Sequence, residues 1–150
     1  MIVNGLSIPS RPMMGYIADK WTGAINAYAL TTFLLGVVSF LWVPVKTRTG
    51  MYVFAVFFGF ASGAAQGVYV GSLASLTKDP RKMGTRFGMC CSIVAFATLA
   101  GPPTAGAIID QSGGDFLWAQ IWAALVIVLG AVALAASRWS VVGFNWKAKI

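Results

Sequence analysis

The chain has 150 residues, of which 58% are hydrophobic and only 10% are charged, whereas about a quarter of the residues in an ordinary soluble domain are charged. Eleven Lys and Arg residues against four acidic residues give a formal net charge of +7. The sequence contains no His and no Glu, which leaves few ligands for a zinc or di-iron centre. Composition therefore argues against a soluble domain and a metalloenzyme, and we expect no cofactor.

Residues 1–17 form an apolar segment that is short for a membrane span and is interrupted by Asn4, Pro9, Arg11 and Pro12. The segment lacks the basic start and the small-residue cleavage site of a signal peptide. We interpret it as the tail of a membrane helix whose beginning is missing.

Four further segments contain no charged residue, and each is at least 22 residues long. About 20 apolar residues are enough to cross the hydrocarbon core of a bilayer as a helix. The predicted fold is therefore all-α and transmembrane, with four full spans, a partial first one and a tail at residues 138–150. The four full spans are residues 24–45, 51–77, 87–109 and 116–137.

The loops between these spans alternate in basic content, and the positive-inside rule places the richer side in the cytoplasm. The C-terminus is then cytoplasmic. Topology and anionic lipid headgroups explain the positive net charge, so no nucleic-acid partner is expected. The poorer side carries Lys46 and Arg48, and the richer side carries Lys20, Lys78, Arg81, Lys82, Arg86, Arg138, Lys147 and Lys149.

The second full span carries a glycine at every fourth position, Gly59, Gly63, Gly67 and Gly71, and Ser75 continues the row. Such a row lets a neighbouring backbone approach closely. It predicts tight helix packing, with a sliding or rocking surface as the functional alternative.

Ser62, Gln66 and Tyr69 form a polar stripe on a flank of the glycine row, because their spacing places them on one helix face. A Gln in lipid needs a partner or a wet cavity. An interhelical hydrogen bond and a cavity-lining role are both open for it.

In the third full span, Gly101, Pro102 and Pro103 predict a kinked or locally unwound helix, because the two prolines remove two backbone donors. Broken helices are common beside transporter substrate sites. A static kink is the alternative.

Arg11 lies eight residues before Asp19, which is expected to mark the cytoplasmic boundary. At 1.5 Å per helical residue, Arg11 is then about 12 Å deeper in the membrane. Ser7 and Asn4 precede it on the same helix face. An Arg at this depth suggests an anion ligand in a cavity, and snorkelling toward the headgroups is the alternative.

The chain resembles monocarboxylate-transporter-like members of the major facilitator superfamily, over helices eight to twelve of their fold. The motif Arg11-Pro12-x-x-Gly15-x-x-Ala18 is similar to the Arg-Pro-x-x-Gly-x-x-Ala of their eighth helix, and Gly15-x-x-x-Asp19-Lys20 is similar to the superfamily's signature loop. Two later segments resemble the eleventh helix of fungal members, Gly84-Thr85-Arg86-Phe87-Gly88-Met89 and Gly101-Pro102-Pro103-x-x-Gly106-Ala107.

The resemblance implies secondary transport by alternating access, with Arg11 binding the substrate carboxylate. Ser7 stands where proton-coupled relatives carry an Asp, so facilitated diffusion or another solute becomes more plausible. Thr22 stands where Gly is usual in the signature loop. The resemblance also implies that Asp19 and Arg86 meet the opposite half of the carrier. Asp19 could instead pair with Arg86 or with a basic residue of its own loop.

The sequence thus predicts the C-terminal portion of a secondary transporter for a small organic anion, in the plasma membrane. Its partners would be the anion, the lipid bilayer and the missing N-terminal half of the carrier. The alternative is a non-transporting membrane fragment or an assembly partner. An enzyme is poorly supported, since all four acidic residues lie at span ends and no nucleophile–base pair is visible.

Overall fold

The structure, a computed structural model, describes residues 1–77 and 79–142. Lys78 and the part of the predicted tail that carries Lys147 and Lys149 lie outside the described residues. Every regular element in the described ranges is helical, which confirms the all-α prediction. The elements are α1 (Ile2–Ile17), a π-helical turn (Ala18–Thr22), α2 (Ala24–Phe40), α3 (Arg48–Ser75), a 3-10 turn (Pro80–Lys82), α4 (Met83–Gln111) and α5 (Leu117–Val142).

Within the described ranges, three helices are long and apolar enough to cross a membrane: Arg48–Ser75, Pro80–Gln111 and Leu117–Ser140. The apolar helix Ala24–Phe40 is shorter, with 17 residues. It ends before the predicted limit at residue 45 because Pro44 has no N–H group and its ring clashes with the carbonyl four residues earlier, that of Phe40. The chain continues from there in tighter i→i−3 turns, such as the one from the Val43 amide to the Phe40 carbonyl.

Helix α4 runs without interruption through Gly101, Pro102 and Pro103. The sequence predicts a kink or local unwinding at this point, and the structure shows no unwinding. The prolines remove two donors but leave the bonds of the flanking turns in place, and the hydroxyl of Thr104 donates to the carbonyl of Ala100 at 2.7 Å. The effect of the two prolines is therefore limited to the individual backbone hydrogen bonds that they cannot donate.

Helices α1 and α3 run parallel to each other and pack tightly along the predicted glycine row. A Cβ atom added to Gly59 would lie 2.8 Å from the carbonyl oxygen of Val3, and one added to Gly67 would lie 2.6 Å from that of Arg11. Side chains at these positions would therefore collide with the α1 backbone. Gly71 has no such neighbour within 4 Å, so the close contact ends one turn before the end of the row.

Helix α2 packs against both α3 and α5. Ala27 of α2 forms a small core with Ala18 and Val68, and Gly36 lies against Val128 of α5. Helix α4, in contrast, contains no buried residue. The bundle is therefore compact around α1, α2, α3 and α5, while α4 lies at its margin.

The ends of α2 and α5 that are expected on the basic side meet in the structure. The guanidinium of Arg138, near the end of α5, donates to the side-chain oxygen of Asn26 in the first turn of α2. The connection that leads into α2 requires Gly23, whose φ of +80° is rarely adopted by other residues. The amide of Gly23 closes the π-helical turn on the carbonyl of Ala18 at 2.8 Å.

Candidate functional site

The candidate site is built around a hydrogen bond between α1 and α3. The Nη2 atom of Arg11 donates to the Oε1 atom of Gln66 at 2.7 Å, and both side chains are exposed. The interhelical bond that the sequence left open for Gln66 is thus made, and its partner is Arg11. Because a guanidinium has five N–H donors and Gln66 accepts from one of them, the remaining donors can bind an anion.

The glycine row explains why these two side chains meet. Gly67 follows Gln66 directly in α3, and it allows the α3 backbone to touch the α1 backbone at Arg11. One turn earlier, a Cβ atom on Gly63 would lie 2.6 Å from the Cα atom of Ser7. A larger residue at either glycine would push α1 away and separate Arg11 from Gln66.

The side chains of Ser7 and Asn4 do not join that of Arg11 at Gln66. The Ser7 side chain is buried in the contact with α3, and its hydroxyl donates to the carbonyl of Asn4 at 2.9 Å. Ser10, one turn below, is fully buried in the same contact. The Asn4 side chain is exposed. Of the three predicted ligands on α1, the structure therefore brings Arg11 alone together with the polar stripe of α3.

Tyr69 joins an aromatic cluster that connects α3 with α2 and α4. Its ring centroid lies 5.8 Å from that of Tyr28 and 6.4 Å from that of Phe87, both in tilted arrangements. Sequence reasoning singled out neither Tyr28 nor Phe87 as a site residue. Phe87 was signalled only by its place in the Gly84–Gly88 segment, directly after Arg86.

Arg86 interacts with the end of α3 instead of with Asp19. Its Nη1 atom donates to the carbonyl of Leu76 at 2.9 Å, at the C-terminal end of that helix. A cation at this position satisfies an unpaired carbonyl and complements the helix dipole. Asp19 is exposed in the π-helical turn after α1. Within the described ranges, the alternative of an Arg86–Asp19 pair is therefore not realised.

The segment Gly101–Pro102–Pro103 is not part of the Arg11 cluster. It lies in the later half of α4, where neither proline is buried and Gly101 has nothing within 4 Å of an added Cβ atom. The structure thus separates the predicted gating residues into two groups, Asp19 and Arg86 near the basic ends of the helices and the Gly-Pro-Pro segment farther along α4.

The residues of the site can bind a negatively charged solute but offer little else chemically. The four carboxylates of the chain, those of Asp19, Asp79, Asp110 and Asp115, all lie at or near helix ends. Among the described residues no group of three or more His, Cys, Asp or Glu side chains could hold a metal ion. An ionisable residue within a membrane helix is by default a candidate functional residue, because its charge is costly there.

No protein-family model matches the chain. Among curated proteins, it is 35% identical over 131 residues to the aspyridones efflux protein of Emericella nidulans. The aligned residues cover 87% of the chain and 26% of that protein. It is 34% identical over 149 residues to the riboflavin transporter of Saccharomyces cerevisiae, covering 97% of the chain and 28% of the relative. An MFS-type transporter of Penicillium oxalicum is 32% identical over 99% of the chain and 35% of its own length.

These relatives and the helical bundle together define an integral membrane protein. The chain belongs to the major facilitator superfamily, as the sequence motifs predicted. It spans between 26% and 35% of the length of the three relatives. Its helices fit the C-terminal part of the bundle of such a transporter.

Proposed function

We propose that the chain supplies part of a secondary transporter for a small organic anion, with Arg11 as the residue that holds the anion. The observation that carries the proposal is the exposed guanidinium of Arg11, which is held by Gln66 and has no acidic partner among the described residues. A carboxylate accepts two parallel hydrogen bonds from a guanidinium, which makes the pair both strong and directional.

The names of the relatives support transport in general but not one solute, since one is named for riboflavin and another for the efflux of aspyridones. The proposed preference for a monocarboxylate-like anion therefore depends on Arg11. Asn4 and Ser7 on α1, and Gln66 and Tyr69 on α3, are the proposed neighbours of the anion. Ser7 would have an indirect role, because its hydroxyl is already used by the helix.

Alternating access in this class of transporter moves two helical bundles around a site between them. Asp19, Arg86 and the Gly101–Pro102–Pro103 segment are the proposed positions of conformational control. The cytoplasmic location of the C-terminus and a plasma-membrane setting complete the proposal. The partner is the remaining part of a carrier, and the second candidate function is a non-transporting membrane partner.

The test is a paired measurement of binding and uptake with the purified chain in lipid vesicles. Labelled lactate, pyruvate and benzoate would serve as probes, and Arg11→Gln would be compared with Arg48→Gln, which removes an equivalent charge from the exposed first turn of α3. Saturable uptake that is lost only in Arg11→Gln supports a transporter. Saturable binding without uptake supports the non-transporting alternative, and the absence of both overturns the anion site.

A further inference from the structure

The aromatic cluster on α2, α3 and α4 continues directly from the polar stripe that holds Arg11. Gln66 and Tyr69 are three residues apart on α3, so their side chains are neighbours on one flank of that helix. Arg11 bonds Gln66 from α1, and Phe87 faces Tyr69 from α4. The guanidinium and the aromatic rings therefore border the same side of α3, with Gln66 between them.

The rings of Tyr69 and Phe87 are held by Tyr28 on one side and exposed at Phe87 on the other. Tyr69 is half-buried and is held against Tyr28 of α2 at a centroid distance of 5.8 Å. Phe87 is 37% exposed, although it pairs with Tyr69 at 6.4 Å. Tilted pairs at such distances are a favourable arrangement of two rings, and the free face or edge of the outer ring can accept a third.

We infer that Tyr69 and Phe87 form an aromatic wall beside Arg11, and that this wall makes the site selective for planar aromatic carboxylates over aliphatic ones. The inference rests on the proposed function, because it needs the anion at Arg11. The carboxylate binds the guanidinium of Arg11, and the ring of the same ligand packs on Phe87. Tyr69 is a positioning residue that holds Phe87 through ring contact.

The surroundings of the wall fit a ligand of this class. Arg11 and the exposed ring of Phe87 lie on separate helices, α1 and α4, and each contacts a side chain of α3, Arg11 that of Gln66 and Phe87 that of Tyr69. Helix α4 has no buried residue, so the core of the bundle does not cover Phe87. A flat ring that carries a carboxylate at one edge would bind the guanidinium of Arg11 and the aromatic wall at the same time. A short aliphatic anion would bind only the guanidinium of Arg11, without the contact to the aromatic wall.

The experiment compares benzoate with cyclohexanecarboxylate, because the two ligands share a six-membered carbon ring and a carboxylate but only benzoate is planar and aromatic. Equilibrium binding of each labelled acid would be measured on the full chain in phosphatidylcholine vesicles. Binding to vesicles that contain Arg11→Gln gives the contribution of lipid partitioning. We expect benzoate to bind about tenfold more tightly, as an aromatic contact of ordinary strength allows.

The variants separate the wall from general packing. Phe87→Leu and Tyr69→Leu should reduce the benzoate preference to near unity, whereas Tyr69→Phe should keep the preference. Phe58→Leu is the matched control, since Phe58 belongs to another ring pair of α3, with Phe54 at 5.4 Å. Circular dichroism of each variant verifies that the helices are retained.

The outcomes distinguish the inference from the proposed function. Equal, Arg11-dependent binding of the two acids overturns the aromatic wall and leaves the anion site standing. A benzoate preference that survives in both Phe87→Leu and Tyr69→Leu also overturns it. The absence of Arg11-dependent binding for either acid overturns the proposed function, and the inference with it.

Discussion

The side-chain oxygen of Gln66 accepts a hydrogen bond of 2.7 Å from the guanidinium of Arg11, and this bond connects two parallel helices that are separated by α2 in the sequence. The bond orients the cation without neutralising it, because a carboxamide carries no net charge. Arg11 therefore keeps its charge and a defined position. A carboxylate at the same position would form an ion pair and compete with any bound anion.

The first prediction concerns this difference between an amide and a carboxylate. Gln66→Glu should weaken the binding of an organic anion by about tenfold to a hundredfold, since a charged hydrogen-bond partner contributes about 1.5–3 kcal/mol. Gln66→Leu should have a smaller effect, because it frees the guanidinium but leaves its charge available. Equilibrium binding of labelled benzoate to vesicles measures both. Equal losses in the two variants would contradict a competing ion pair.

The glycine row supplies a second prediction. Gly63→Ala should lower the free energy of unfolding by about 2 kcal/mol, because the added methyl group would overpack the contact with Ser7 and Ser10. Gly71→Ala, two turns further along the same helix and with nothing within 4 Å, should raise it by about 0.5–1 kcal/mol through helix propensity. Unfolding in detergent, monitored by circular dichroism, gives the free energy of unfolding of each variant. Similar effects at both positions would argue against the close α1–α3 contact.

A third prediction concerns the turn between α1 and α2. Gly23→Ala should destabilise the protein by about 1–3 kcal/mol, because alanine is strained at a φ of +80°. Gly15→Ala is the matched control, since Gly15 lies inside α1 and an added Cβ atom meets nothing within 4 Å. Thermal unfolding of the two variants in the same detergent tests the pair. A tolerated Gly23→Ala would show that the turn can adopt another backbone conformation.

The role of Arg86 can be tested with a double-mutant cycle. Arg86→Met should cost about 1 kcal/mol of stability through the lost hydrogen bond to the carbonyl of Leu76. Arg81→Met, a substitution in the exposed 3-10 turn nearby, should be nearly neutral. The effects of Arg86→Met and Asp19→Asn should add, because the two side chains do not pair. A coupling energy above about 0.5 kcal/mol would indicate an ion pair between them.

The orientation of the bundle leads to the last prediction. In a chain in which Cys90→Ala and Cys91→Ala remove the native thiols, Lys82→Cys should react with an impermeant maleimide added from the cytoplasmic side. Asp115→Cys, at the other end of α4, should react from the opposite side only. Labelling of right-side-out and inside-out membrane vesicles distinguishes the two. The reverse pattern would overturn the cytoplasmic assignment of the basic loops.

Much of the fold follows from local sequence patterns. The four uncharged segments each produce one helix, and the glycine row of α3 makes the close contact that its spacing predicts at Gly59, Gly63 and Gly67. The end of α2 at Phe40 was missed, although Pro44 carried the signal. For Pro102 and Pro103 the sequence left a kink and a local unwinding open, and only the structure shows that α4 continues through both, since the loss of two donors does not by itself decide whether the neighbouring turns hold.

The site was predicted less completely than the fold. Periodicity places Gln66 and Tyr69 on one flank of α3 and Arg11 on α1, but it does not say which helices are neighbours. Ser7 illustrates the limit, because its spacing from Arg11 predicts a shared face, while packing against α3 buries its side chain and turns its hydroxyl to the carbonyl of Asn4. Phe87 was overlooked for the same reason, as its importance depends on a ring of α3 that is distant in sequence.

The sequence by itself determined that this protein is a helical membrane protein and that basic residues alternate between its loops, and it predicts that Arg11 lies within a span. Those properties depend on the hydrophobicity and spacing of residues along one segment. Only the tertiary structure decided that Arg11 bonds Gln66, that Arg86 binds the end of α3, and that Tyr69 lies between Tyr28 and Phe87. These contacts depend on which helix faces which, and that choice is made by the packing of the whole bundle.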